Sequence, residues 1–334
     1  MISLLMQFLN FTGGASRLWG AVAEKILPLM GLTLLLAACA TTQSETVKTT
    51  HPRVLLVNTN SAVERYAIVE ESFQQSLHGA EITSIDLQND MRPVESLQDH
   101  INNNNYDAVY TIGAKALGSL DYISPDMPIV FSSVLNWRRF NDHPNVYGVA
   151  SEISPQAQLT WLKHFFPGVL RVGVIYSADN VSLINEANKV ARQLDISLLA
   201  VNAFSSANVL DQAESLLGEV DMLWLISDPK VLSTTDGTKA LFKLADSQQK
   251  PVFAYSDIFA EYGAVLSVSS DVATTGRQAS LIIQQLLSKG RPDREVQFPA
   301  GSSITLNLDR VEKYGLNLNE EALESVSRII RSKE

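Results

Sequence analysis

The chain has one cysteine in 334 residues, Cys39. A disulfide within the chain and a cysteine-built metal site are therefore excluded. It has no basic cluster, and 26 Lys and Arg against 36 Asp and Glu give a formal charge of −10. Such a surface repels phosphate, so nucleic acid is not an expected partner. Beyond Cys39 no apolar run reaches the roughly 20 residues of a membrane-spanning helix. The five histidines, His51, His78, His100, His143 and His164, are scattered without metal-ligand spacing. No metal site is expected. A G-x-S-x-G elbow, a Walker loop and a G-x-G-x-x-G turn are also missing. The usual α/β enzyme signals are thus absent, and neither catalysis nor a cofactor is expected.

What is present begins with a targeting segment. Arg17 and Lys25 precede a short apolar core, ILPLMGLTLLLAA, over residues 26–38. That core is too short to span a bilayer comfortably and reads as a signal peptide, 1–38. Leu36-Ala37-Ala38-Cys39 then matches a bacterial lipobox, with Cys39 as the lipidated residue. Residues 39–50 are polar and without periodicity, which suits a flexible tether. Ala40, where a retention signal would place Asp, points to the outer membrane of a cell envelope, with the domain facing the periplasm.

The rest alternates short apolar runs with amphipathic stretches. Strands are expected over 53–58, 81–87, 108–112, 129–132 and 146–149, with helices over 62–77, 94–101 and 114–122 between them. Ser154-Pro155 opens a second series, as helix cap and first helical residue. Helices over 155–166, 181–194, 207–217 and 235–248 alternate with strands over 171–176, 197–201, 222–226, 251–254 and 264–268. Helices over 271–289 and 320–331 and a strand over 304–308 complete the chain. Two β-α-β series predict an α/β fold of two doubly wound, flavodoxin-like parallel-sheet lobes.

In open parallel sheets ligands sit beyond the carboxyl ends of the strands. The candidate ligand-binding residues are therefore the strand-end loops. The first series gives Asn58, Ser61, Gly113, Ala114, Lys115, Ser132, Ser133 and Asn136. The second gives Ser177, Asn180, Ser227, Asp228, Tyr255, Ser256 and Asp257, with Asp271 near a crossing. Their hydroxyls, amides and backbone N–H groups suit a zwitterion or small polar ligand. Donors at Ala114 and Ser133 suit a carboxylate, with charge added by Lys115, and Asp228 or Asp257 suits an ammonium. Trp137 and Tyr255 can stack on an aromatic ligand; Trp161 and Trp224 read as core. The plainer role open to each Ser and Asp is capping of the next helix.

Six stretches resemble the tryptophan/tyrosine-type branch of the ABC transporter substrate-binding proteins. They are YDAVYTIGAKAL, MPIVFSSV, NVYGVASEISPQAQLTWLKHFFPGVLRVGVIYSADN, KPVFAYSDIFAEYGAVLSVSSD, TGRQAS and ITLNLDRVEKYGL, in that order across residues 51–331. The resemblance implies a type I periplasmic binding protein, two lobes joined by three hinge strands with the ligand between them. It places 51–150 with 271–298 in lobe one, and 151–270 with the tail 299–334 in lobe two. It implies a monomer that captures a small molecule, an aromatic amino acid or similar, for an ABC permease and ATPase. A sensor module presenting its ligand to a membrane receptor or kinase fits the same residues.

Overall fold

A computed structural model describes residues 51–90, 94–120, 127–135, 137–140 and 145–332. The signal peptide, the tether with Cys39, and Asn136 lie outside the described residues. The strands β1 (Arg53–Asn58), β2 (Glu81–Asp86), β3 (Ala108–Ile112), β4 (Ile129–Ser132) and β5 (Val146–Val149) form one parallel sheet. Its order is β2-β1-β3-β4-β5, and the late strand β11 (Val296–Gln297) joins beside β5. The second sheet holds β6 (Arg171–Tyr176), β7 (Ser197–Asn202), β8 (Met222–Leu225), β9 (Val252–Ala254) and β10 (Leu266–Ser270). It repeats the order, β7-β6-β8-β9-β10, and ends in β12 (Ser302–Asn307) and β13 (Arg328–Ile330). Both sheets belong to one compact unit running from Thr50.

The central strands are apolar on both faces because helices cover both. On the first sheet Val54 and Leu56 face α1 (Glu64–Ser76) and α8 (Val272–Leu287), with Phe73 stacked 4.1 Å from Tyr110. Leu55 and Val57 face α2 (Val94–Asn104) and α3 (Ala114–Gly118). The second sheet is covered by α4 (Pro155–Phe165) and α5 (Val181–Gln193) on one side, and by α6 (Val209–Leu217) and α7 (Thr235–Ser247) on the other. Ser154 caps α4 by accepting the Ala157 N–H at 3.2 Å, with Pro155 next.

The chain passes between the sheets three times, at 150–154, at 270–271 and at 298–301. These passages are bonded together. Ala150 N–H donates to Gln297 O at 2.9 Å, and Asp271 N–H to Gly301 O at 3.0 Å. Gln278 of α8 ties the third, donating to Phe298 O and accepting from Ala300 N–H, both at 3.0 Å.

Four elements differ from expectation. The apolar residues read as a helix over 320–331 form a 3-10 turn, Glu320–Ser325, and then β13. Val326, Ile329 and Ile330 are β-branched, and β12 offers them an open edge. The turn is fixed by Ser327, whose N–H donates to Ile304 O at 2.8 Å. Residues 308–313 form a short helix, α9 (Leu308–Lys313), where the expected strand ended, because Asn307 caps it through Arg310 N–H at 3.1 Å. β11 is too short to carry a periodic signal. Ser61 does not cap α1, whose cap position is Val63; its hydroxyl donates to Asp86 instead.

The approach of α8 to α1 rests on Gly276. A Cβ there would collide with the Val69 carbonyl oxygen and stand 3.0 Å from Phe73 N, both backbone atoms that cannot swing aside. Ala is the better helix former by about 1 kcal/mol. Gly276→Ala should nonetheless lower stability by about 1–3 kcal/mol, the usual cost of overpacking. Urea unfolding checks this, and a neutral or stabilised variant would mean that the two helices do not approach so closely.

Candidate ligand-binding cleft

In each sheet the strand order reverses at its first strand, between β1 and β3 and between β6 and β8. Loops leaving neighbouring strands diverge at such a point and open a crevice. On the first lobe the crevice is floored by Gly113, at φ +93°, where a Cβ would lie 2.5 Å from Thr59 Oγ1. Only glycine lets that turn pass so close. Thr59 Oγ1 in turn accepts the Ala116 N–H at 3.1 Å and fixes the start of α3.

A central cavity of about 70 Å³ lies between the lobes. Arg65 and Tyr66 from the first turn of α1, with Ser133 and Leu135 after β4, form its first wall. Tyr255, Ser256, Ser269 and Ser270 form the second, and Ser151 comes from the first crossing. Two larger chambers flank it. One, of about 430 Å³, shares Leu135 and Tyr255 with it and adds Ala114, Ser227, Pro229 and Leu232. The other, of about 490 Å³, shares Arg65, Ser269 and Ser270 and adds Glu64, Asp257 and Asp271 with apolar Val63 and Ile258.

The central cavity has one formal charge, Arg65, and no carboxylate on its wall. Ser133 holds a left-handed backbone, φ +57°, a strained conformation for a residue other than glycine, of the kind found at binding sites. Burial pushes the Tyr255 phenol above its ordinary pKa, against a lowering hydrogen bond with Ser227. It therefore stays un-ionised at neutral pH. Behind the wall Glu152 is buried; its Oε1 accepts Trp137 Nε1 and Arg138 Nη1, each at 3.0 Å. Burial raises its carboxyl and Arg138 pulls it back.

The residues expected to bind ligand divide in two. Ala114, Ser133, Ser227, Asp228, Tyr255, Ser256, Asp257 and Asp271 line the three chambers. The other described ones do not line them. Asn58 spends its amide on Glu70 and on Asn60 N–H. Gly113 has no side chain to offer. Ser132 pairs with the Tyr110 hydroxyl at 2.7 Å in the core. Lys115 donates to Asn89 O at 3.2 Å, so the charge assigned to it is supplied at the cavity by Arg65. Ser177 is fully buried, and Asn180 donates to Ser227 O and to Asp228.

Asp228 lines a chamber, but its carboxylate is saturated. Oδ2 accepts Ser177 N–H at 2.6 Å and Asn180 Nδ2 at 2.8 Å; Oδ1 accepts Lys230 N–H at 3.0 Å and Val231 N–H at 3.2 Å. It organises the loops after β6 and β8 and has no free oxygen for a ligand ammonium. Asp271 spends Oδ1 capping α8 through Thr274 N–H at 2.6 Å. Trp137 is held by Glu152, with Arg138 4.5 Å over its ring, while Trp224 is in the core, bonded to Gln158.

With this geometry the chain can be set beside known proteins. The family model for ABC transporter substrate binding protein matches residues 56–330. The chain belongs to that family. A curated relative, the tyrosine-binding protein of Clostridioides difficile strain R20291, is 22% identical over 236 residues, 67% of this chain and 68% of its own. Among solved structures, a ligand-free, open substrate-binding protein with adhesive properties from Clostridium difficile has a TM-score of 0.63 at 19% identity, covering 84% of this chain and all of its own. An ABC domain from Streptococcus pneumonia in complex with L-Trp has a TM-score of 0.58 at 19% identity, with the same coverage. These likenesses establish the two-lobed fold for this member of the family.

Sequence reading missed Arg65, Tyr66, Leu135, Ser151, Ser269 and Ser270. A signal existed for two: β10 reads LSVSS, polar residues in a strand buried throughout. The saturated Asp228 yields a test. Asp228→Ala strands four donors and should cost about 3 kcal/mol or more of stability, because each buried unsatisfied group costs about 1–3 kcal/mol. Thermal melting checks it; an unchanged melting temperature would remove Asp228 from its organising role.

Proposed function

We propose that this protein is a solute-binding protein, not an enzyme, that captures an amino acid of aromatic or similar type and delivers it to an ABC permease and its ATPase. One observation carries the reading: a member of the substrate-binding family has its chambers between two lobes, lined from both. The central cavity offers Arg65 and serine hydroxyls for the polar end of an amino acid. The adjoining chamber, with Leu135, Pro229, Leu232 and Tyr255, offers an apolar wall and a ring for its side chain. The relatives' ligands, tyrosine and L-Trp, are of this kind. Closure of the lobes about the three crossings then couples capture to presentation, because a ligand touching both lobes stabilises the closed state.

The proposed placement is on the envelope membrane. Lipid on Cys39 anchors the chain, and the tether over 39–50 gives the monomeric domain a reach of about 20 Å as a flexible coil. Ala40 favours the outer membrane.

Thermal shift of the tether-free domain against the twenty amino acids and small metabolites tests the ligand. An aromatic amino acid at about 100 times its Kd should add roughly 2.7 kcal/mol of stability. A response confined to another class of compound would overturn the amino-acid assignment, and turnover of a bound compound would overturn the binding-protein reading. Cys39→Ser in the full chain tests the anchor: the protein should move from the membrane to the soluble fraction. Retention on the membrane would contradict lipidation at Cys39.

A further inference from the structure

Within that reading of the cleft, the charge pattern says which end of the ligand is recognised first. We propose that the central cavity is an anion receptor, in which the Arg65 guanidinium and serine hydroxyls from both lobes hold the carboxylate of the ligand. The ammonium group contributes little to affinity.

Four observations converge. Arg65 is the single cation on the walls of the three chambers, and it faces the two that are continuous through Ser269 and Ser270. Among the described residues it makes no hydrogen bond and no ion pair, so its five N–H donors are unspent. Two of the hydroxyls around it are unspent as well, while Ser256 donates to Asp257 Oδ1 at 3.4 Å and Ser269 accepts the Asp257 N–H at 2.8 Å. Ser151 Oγ is buried without a partner, and Ser270, more than nine-tenths buried on the same wall, has no hydrogen bond on its hydroxyl among the described residues. Finally, no carboxylate lines the cavity, and Tyr255, held un-ionised by burial, brings no negative charge.

A hydroxyl serves a cation or an anion equally well, since it both donates and accepts. A guanidinium does not. It repels an ammonium and matches the two oxygens of a carboxylate with parallel donors. None of the acids that suit an ammonium lines the central cavity: Asp228 is spent on four donors, Glu64, Asp257 and Asp271 are in the adjoining outer chamber, and Glu152 is behind the wall with Oε1 on Trp137 and Arg138 and Oε2 unpaired among the described residues. The receptor is also built across the hinge. Arg65 and Ser133 belong to lobe one and Ser256 and Ser269 to lobe two, with Ser151 and Ser270 at crossings. A carboxylate seated there contacts both lobes at once, which makes the anion the group that favours closure.

The experiment uses matched probes on the wild-type domain and on Arg65 variants, read by calorimetry and thermal shift. The probes are the twenty amino acids, the amines that lack their carboxylate, the acids that lack their ammonium, and simple dicarboxylates. The amino acid and its deaminated acid should bind within about tenfold of each other, and the matching amine should not bind. Arg65→Gln should weaken every bound carboxylate about 10- to 100-fold, a factor of ten being about 1.4 kcal/mol. Arg65→Lys should recover part of that loss, and added salt should weaken the wild type more than Arg65→Gln. Neither substitution should move the melting temperature of the unliganded protein, because Arg65 is exposed and, among the described residues, unpaired. Amines binding as well as acids, an unchanged affinity in Arg65→Gln, or no response to any carboxylate would each overturn the proposal. Binding of dicarboxylates alone would overturn the amino-acid assignment and leave the anion receptor standing. Amino acids bound together with their amines would do the reverse.

Discussion

Everything in the cleft depends on three passages of backbone between the sheets. Parallel strands put their carboxyl ends on one side of each sheet, and the passages turn those sides toward each other. The bonds from Ala150 N–H to Gln297 O and from Asp271 N–H to Gly301 O hold the passages as a ladder. Two residues of the central cavity, Ser151 and Ser270, are in the ladder itself. The passages between the lobes and the cavity wall are therefore not separate parts of the molecule, and a group bound to those hydroxyls touches the backbone that joins the lobes.

The first lobe shows how the wall is held. Arg65 is in the first turn of α1, and α1 is clamped on the sheet by α8 through the close approach at Gly276. α8 begins at the second crossing, capped by Asp271, and its Gln278 reaches the third. One helix thus links the cation of the cavity to two of the three passages. On the second lobe Asp228 plays the corresponding part, gathering the loops after β6 and β8 around four donors. A buried carboxylate is costly unless saturated, and here saturation is complete, which converts a candidate ligand group into scaffold.

Much of the fold was legible because the strands are buried on both faces. Runs such as RVLLVN and RVGVIY have an unbroken apolar stretch after their first residue, and short strands between amphipathic stretches leave few topologies. The tail was not legible. Residues 320–331 have apolar spacing compatible with a helix, but the open edge of β12 decided the outcome, and an edge is a tertiary fact invisible in local sequence. The cleft was half legible. The rule that ligands meet strand ends found Ser133, Ser227, Tyr255 and Ser256, which are strand-end residues. It could not find Arg65, which lines the cavity from a helix, or Ser151, which lines it from a crossing.

Lys115 and Arg65 show why reading stops there. Both follow a strand of the first lobe at the start of a helix, and sequence gives each the same title to a ligand anion. α3 places Lys115 beside Asn89, whose carbonyl takes its ammonium, outside the central cavity. α1 places Arg65 on two chambers with no hydrogen bond or ion pair among the described residues. The difference is a matter of which way a helical turn faces once the sheet order is set. Glu64, one position before Arg65, lines the outer chamber alone, while Tyr66, one position after it, shares the central wall. The sign of the cavity therefore follows from the register of a single helix turn, and that register is set by the packing of α1 under α8 more than by any motif.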